Sequence, residues 1–313
     1  MKTAFVFPGQ GAQKVGMGKE LFDSFDCVKQ LLHQADAALG EKFTDLIFNG
    51  PGDDLTLTAN TQPAILAVSL AALQAFREKC NVQPDFVAGH SLGEFSALVA
   101  AGSLGFEDAI RVTRARGTYM QQAVPAGKGA MAAVMKLDED AIVSTCHAVM
   151  KEGGVVSAAN FNCPGQIVIS GDADAVARAS AMLTTAGARI IPLKVSAPFH
   201  CALMKPAAEQ LDRTLADICF GDILIPVVTN VEAAPNSDPS RVRELLVKQV
   251  TGTVRWTDSV RWMIAQGVRR FVEFAPGNVL AGLILKIDNS VTVLSVSTPD
   301  GLDKAMNLLA DSQ

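Results

Sequence analysis

The sequence predicts an α/β fold: a mostly parallel sheet flanked by helices, with a small βαββαβ unit inserted into it. Three observations carry this. Short apolar runs with the length of buried strands alternate with longer helical patterns. The run Phe86-Val87-Ala88 leads through Gly89-His90-Ser91-Leu92-Gly93 straight into a helix from Glu94 to Ala101. Between Pro125 and Pro198 the order of elements changes to strand, helix, strand, strand, helix, strand.

The chain has 313 residues, 49% apolar and 19% charged, so it can bury a large core. Its net charge of -5 and the lack of a basic run exclude nucleic acid and anionic membrane as expected partners. Its six cysteines show no metal-like spacing, which fits a reduced, cytoplasmic protein without disulfides. The short apolar stretch before Pro8 is too brief for a signal peptide or a membrane span.

Thr3 to Phe7 reads as the first buried strand, followed by the loop Pro8-Gly9-Gln10-Gly11-Ala12-Gln13. That loop is no dinucleotide fingerprint, because Lys14 stands where the third glycine belongs, and no phosphate loop, because no Gly-Lys-Ser/Thr follows. It is either an ordinary loop or one that brings a backbone N–H to a ligand. Helical patterns run from Val28 to Ala38 and from Pro63 to Lys79.

The Gly89–Gly93 segment has the strand-turn-helix context of a nucleophile elbow. Its glycines leave room for a serine on a tight turn, and the helix N-terminus favours negative charge developing there. The alternative is a turn in which Ser91 only caps the helix. On the next helix, Phe106 to Ala123, Ala109, Val112, Thr113, Tyr119 and Met120 share one side. Arg116 falls in the middle of that side, while Arg111 and Arg114 face away. A cation there must meet an internal carboxylate or one supplied by a substrate.

Pro125 to Gly129 is a linker. Strands at Ala130–Leu137, Val155–Asn160, Gln166–Ser170 and Arg189–Val195, with helices at Asp138–Glu152 and Ala173–Ala186, make a ferredoxin-like insert. The boundaries follow: residues 128–197 form the small subdomain, and 1–127 with 198–313 form a hydrolase-like large domain. In its second half we read a helix at Lys205–Leu215, a strand at Ile225–Thr229, and helices at Val242–Val250 and Trp256–Gln266. A strand at Phe271–Phe274, a helix capped by Asn278 and running through Ile287, and a strand at Val291–Val296 complete it.

A serine nucleophile needs a base. Of four histidines, His90 adjoins Ser91 and should point away from it, and His33 and His147 sit on helices. His200 remains, in Ser196-Ala197-Pro198-Phe199-His200, where the chain re-enters the large domain. No acid stands out to complete a triad, so a Ser–His pair oriented by another acceptor is expected.

Phe7-Pro8-Gly9-Gln10-Gly11, Gly89-His90-Ser91-Leu92-Gly93-Glu94, Arg114-Ala115-Arg116-Gly117 and the segment ending at His200 occur together, in order. With Asn160–Gln166 and Pro276–Leu280 they resemble the bacterial malonyl-CoA:acyl carrier protein transacylases of fatty-acid synthesis over nearly the whole chain. The resemblance implies a malonyl ester on Ser91, His200 as base, and an oxyanion hole from the backbone N–H groups of Gln10 and Leu92. It implies that Arg116 holds the malonyl carboxylate, that Phe199 and Met120 contact the acyl group, and that the backbone carbonyl of Gln249 orients His200. It also implies coenzyme A and acyl carrier protein as partners, a monomer, and no metal or other cofactor. Two other classes share parts of this pattern: a serine hydrolase or thioesterase, and a non-catalytic carrier-protein-binding module.

Overall fold

The computed structural model describes residues 1–310. Its larger sheet has the strand order β10-β9-β1-β2-β7-β8. These strands are β1 (Lys2–Phe7), β2 (Phe86–Gly89), β7 (Val227–Val228), β8 (Pro235–Asn236), β9 (Val268–Phe274) and β10 (Thr292–Val296). All neighbours run parallel except β7 and β8. Parallel strands covered on both faces need apolar residues at every position. Accordingly Ala4 to Phe7 and Val87 and Ala88 are fully buried. Phe5, Phe76 and Phe274 meet edge-to-face at centroid distances of 4.9 to 5.5 Å and form the core on one face.

The second sheet, order β4-β5-β3-β6, is antiparallel throughout. It comprises β3 (Gly129–Met135), β4 (Val156–Cys163), β5 (Gln166–Asp172) and β6 (Arg189–Pro192). Helices Glu139–Lys151 and Ala173–Thr185 complete the βαββαβ order. This unit is tied to the larger one through β4. Phe161 N–H donates to the Val254 carbonyl, and the Thr253 and Thr257 hydroxyls donate to the carbonyls of Ala158 and Phe161. The Asn160–Cys163 end of β4 is thereby held against the main body.

Several expectations need correction. The strand read at Ile225–Thr229 shrinks to Val227–Val228, because the chain turns at Thr229 and returns as the antiparallel edge β8. The long helix begins at Thr58, five residues before Pro63. Pro63 is the sixth residue of this helix and has no N–H to give to the Ala59 carbonyl. Helices at Lys19–Ser24, Phe43–Asn49, Gly52–Thr56 and Pro299–Ala310 were not read from the sequence. Asn278 does not cap the helix Val279–Ile287 with its side chain. Instead the Glu273 carboxylate, projecting from β9, accepts the N–H groups of Leu280 and Ala281 at 2.9 and 2.8 Å. A local cap was expected where a neighbouring strand supplies the anion.

Among the described residues no helix is long and apolar enough to cross a membrane, and all six cysteines are unpaired. Among the described residues, no cluster of three or more His, Cys, Asp or Glu side chains is arranged to hold a metal ion.

Candidate active site

Three adjacent parallel strands, β1, β2 and β7, deliver their following loops to one edge of the large sheet. Such carboxyl-terminal edges are where open α/β sheets bind ligands. After β1 comes the Gln10 loop, after β2 the Ser91 turn, and after β7 Thr229 and Asn230.

The Ser91 turn is sterically demanding. A Cβ on Gly89 would lie 1.9 Å from the Gly93 carbonyl, and one on Gly93 would lie 2.0 Å from the Phe7 carbonyl oxygen. Only glycine permits the strand, the turn and the helix Gly93–Ala100 to close this tightly. Ser91 has φ of 50°, a conformation that non-glycine residues adopt at a cost. It is restrained from outside the turn. The Asn230 amide accepts Ser91 N–H at 2.6 Å and donates to the Gly89 carbonyl at 2.6 Å.

Ser91 Oγ lies 2.8 Å from His200 Nε2. His200 also has positive φ, 58°, and is buried. Its Nδ1 lies 2.9 Å from the backbone carbonyl of Gln249. A carbonyl can only accept, so Nδ1 carries the proton and Nε2 presents a lone pair to Ser91. Burial, reinforced by the Arg116 charge, holds the imidazole down to about 3, so it is neutral near pH 7.

Arg116 is 1% exposed. Its Nη1 donates to Gln62 Oε1 at 2.7 Å; its Nη2 donates to Gln249 Oε1 at 2.8 Å and to Ser91 Oγ at 3.1 Å. The guanidinium sits over the Phe95 ring, 5.5 Å from its centroid. Among the described residues no carboxylate forms an ion pair with it, and its Nε is without a partner. The internal salt bridge weighed from the sequence is absent. Burial lowers its pKa to about 10, which still leaves it charged at neutral pH. Arg111 is paired at the surface with Glu107 and Asp108, while Arg114 is partly buried against Asn60 and Glu41.

These groups line a cleft of about 160 Å³ between the two sheets. Gln10, Leu92, Met120 and Phe199 border it, and Met131 and Asn162 close it from the smaller sheet. Among the described residues, no protein acceptor engages the backbone N–H of Gln10 or Leu92. His90 turns to Asn162, with Nε2 2.8 Å from its Oδ1, and packs edge-on against Trp256. It therefore does not compete for Ser91. His33 and His147 are exposed and remote from the cleft.

Sequence reasoning missed Gln62, Asn230 and Glu94. Gln62 is a polar residue directly before the apolar run Pro63 to Val68, and Asn230 follows a parallel strand at its carboxyl end. Either signal would have flagged them. Glu94 was quoted only as part of a motif, although it is 2% exposed.

The profile of the "Acyl transferase domain" family matches residues 4–296. The malonyl CoA-acyl carrier protein transacylase of Bacillus subtilis (strain 168) is 47% identical over 311 residues, 99% of this chain and 98% of that protein. The crystal structure of an acyl-carrier-protein-S-malonyltransferase from Bartonella henselae superposes with a TM-score of 0.96 at 45% identity. It covers 99% of this chain and 100% of its own. A malonyl-transacylase solved in complex with its type II PKS acyl-carrier protein gives a TM-score of 0.96 at 43% identity, over 98% and 100% of the two chains. With a Ser–His pair on a nucleophile elbow and these relatives over almost its full length, the chain belongs to the acyl transferase family.

Proposed function

We propose that this protein moves a malonyl group from coenzyme A, through an ester on Ser91, to the phosphopantetheine thiol of acyl carrier protein. The observation that carries the reading is Arg116: a buried cation 3.1 Å from the nucleophile, held by neutral amides and lacking an anion. An acyl group on Ser91 that ends in a carboxylate supplies that anion. The names of the relatives support both substrate and carrier.

In the first half-reaction His200 Nε2 takes the Ser91 proton as Oγ attacks the thioester carbonyl. The oxyanion is received by the N–H groups of Gln10 and Leu92. The C–S bond breaks, and the coenzyme A sulfur leaves with the proton from His200. In the second half the carrier thiol gives its proton to His200 and attacks the ester, and Ser91 Oγ leaves and recovers the proton. Neither half changes an oxidation state, and we assign no metal or other cofactor. The backbone carbonyl of Gln249 keeps the imidazole in the productive tautomer. In this scheme residues 128–197 act as a subdomain closing the cleft, on a body made of 1–127 and 198–313. The reading also takes the protein to be a cytoplasmic monomer serving fatty-acid synthesis.

The deciding experiment is intact-mass analysis with malonyl-CoA, followed by addition of holo acyl carrier protein. One malonyl adduct should form and then move to the carrier with little free malonate. Release of malonate without the carrier would favour a thioesterase, and no adduct at all a binding module.

The depressed His200 pKa has a kinetic consequence. A lowered pKa keeps the base form available as pH falls, so the acid limb of kcat/KM should lie well below an ordinary histidine's. The rate of acetyl adduct formation from acetyl-CoA, which makes no use of the Arg116 charge, should stay nearly flat from about pH 7.5 to about pH 5.5, measured by rapid quench. A limb centred near pH 6.5 would contradict the assignment.

Phe199 borders the cleft and is 7% exposed, so its ring occupies space beside the acyl group. Phe199→Ala should raise methylmalonyl-CoA use relative to malonyl-CoA, by roughly the ~1–3 kcal/mol a methyl is worth in a tight pocket. Specificity constants for the two thioesters, measured in competition, provide the check; an unchanged ratio removes Phe199 from acyl selection.

A further inference from the structure

Glu94 lies in the first turn of the helix that follows the nucleophile, and its side chain is buried where no part of the reaction so far uses it. A single carboxylate oxygen, Oε2, accepts the Asn230 N–H and one amide hydrogen of Gln249, both at 2.9 Å. The Gln249 Nε2 also donates to the Ser91 carbonyl at 2.9 Å. Both acceptors lack hydrogens to give, so together they use up the amide's donors and turn its oxygen to the opposite side. That oxygen is the one Arg116 Nη2 donates to at 2.8 Å.

We propose that Glu94 is a positioning residue: its buried carboxylate holds the Gln249 amide in the one orientation that aims Oε1 at Arg116, and thereby sets the guanidinium that receives the acyl carboxylate. This rests on the reading of Arg116 given above. A flipped amide would turn its own N–H groups on the cation, repelling it from the cleft. Burial pushes the Glu94 carboxyl up to about 7, while the bonds from Asn230 and Gln249 and the Arg116 charge pull it back toward the ionised form. The groups it touches are thus those that favour a carboxylate. Its grip on Asn230 also steadies the residue that restrains Ser91, but that effect would fall on every acyl group alike.

The test is the ratio of kcat/KM for malonyl-CoA to that for acetyl-CoA. Glu94→Gln keeps the volume and offers a weaker, neutral acceptor, so the ratio should fall about 3- to 10-fold, the difference between charged and neutral hydrogen bonds. Glu94→Ala, which removes the acceptor, should lower it further. In an Arg116→Ala background Glu94→Gln should change the ratio by less than about twofold, because the interaction it supports is gone. A native ratio in Glu94→Gln, equal losses of malonyl and acetyl transfer, or an undiminished effect in the Arg116→Ala background would each overturn the proposal. If Glu94→Ala does not fold, Glu94→Gln still decides. The two readings fail separately. Should Arg116→Ala leave the ratio untouched, the role of Arg116 is wrong; should it collapse the ratio while Glu94→Gln does not, only the role of Glu94 is.

Discussion

Ser91→Ala is expected to abolish the malonyl adduct and to cut transfer to acyl carrier protein by about 10⁶-fold, the loss typical when a serine nucleophile is removed. The alanine fits the turn, because the Cβ already exists, and the Asn230 bonds to Ser91 N–H and the Gly89 carbonyl involve only backbone atoms at this position. The fold should therefore be unchanged, and malonyl-CoA should still bind. Intact-mass spectrometry reads the adduct, and a discontinuous carrier assay reads the transfer. Cys201 is the residue most able to mislead, being a thiol next to His200. It is buried, its Sγ donates to the Pro198 carbonyl at 3.1 Å, and burial raises its pKa, so it is a poor nucleophile. An adduct that survived in Ser91→Ala would nonetheless disprove the assignment.

Arg116→Ala should separate substrates rather than simply lower activity. In the native site the malonyl carboxylate meets a guanidinium held by Gln62 and Gln249 and excluded from solvent. Losing one partner of such a pair typically costs ~2–5 kcal/mol, or roughly 30- to 3000-fold. Acetyl transfer has no carboxylate to lose. It should be unchanged or rise, since the variant no longer buries an unpaired cation beside the acyl group. Removing the charge also relieves part of the pressure on His200, whose pKa should move up towards the ordinary range. The acid limb for acetyl transfer in Arg116→Ala should accordingly lie above that of the native protein. Equal loss of both activities would make Arg116 a structural residue.

Much of this was legible without coordinates, because the relevant signals are local. Strands of a covered parallel sheet must be apolar at every position, and Thr3 to Phe7 and Phe86 to Ala88 announce themselves so. The elbow is a contiguous motif, and the place of Arg116 on a buried helix face follows from the helical period alone. His200 emerged by elimination among four histidines.

What the tertiary structure alone decided is how the polar side chains are aimed. Sequence periodicity tells which face a residue occupies but not which atom of it meets which partner. The Asn230 amide reaches Ser91 across 139 positions, Gln249 reaches Arg116 across 133, and Glu94 reaches Gln249 across 155. The cap of helix Val279–Ile287 comes from a strand rather than from the residue before it. Such bonds form only after β1, β2 and β7 have brought their loops to one edge. There, removal of water makes each unsatisfied donor or acceptor costly and so selects a single arrangement. The residue types that carry the chemistry are therefore written in short stretches of the chain, while their orientation is a property of the packed whole.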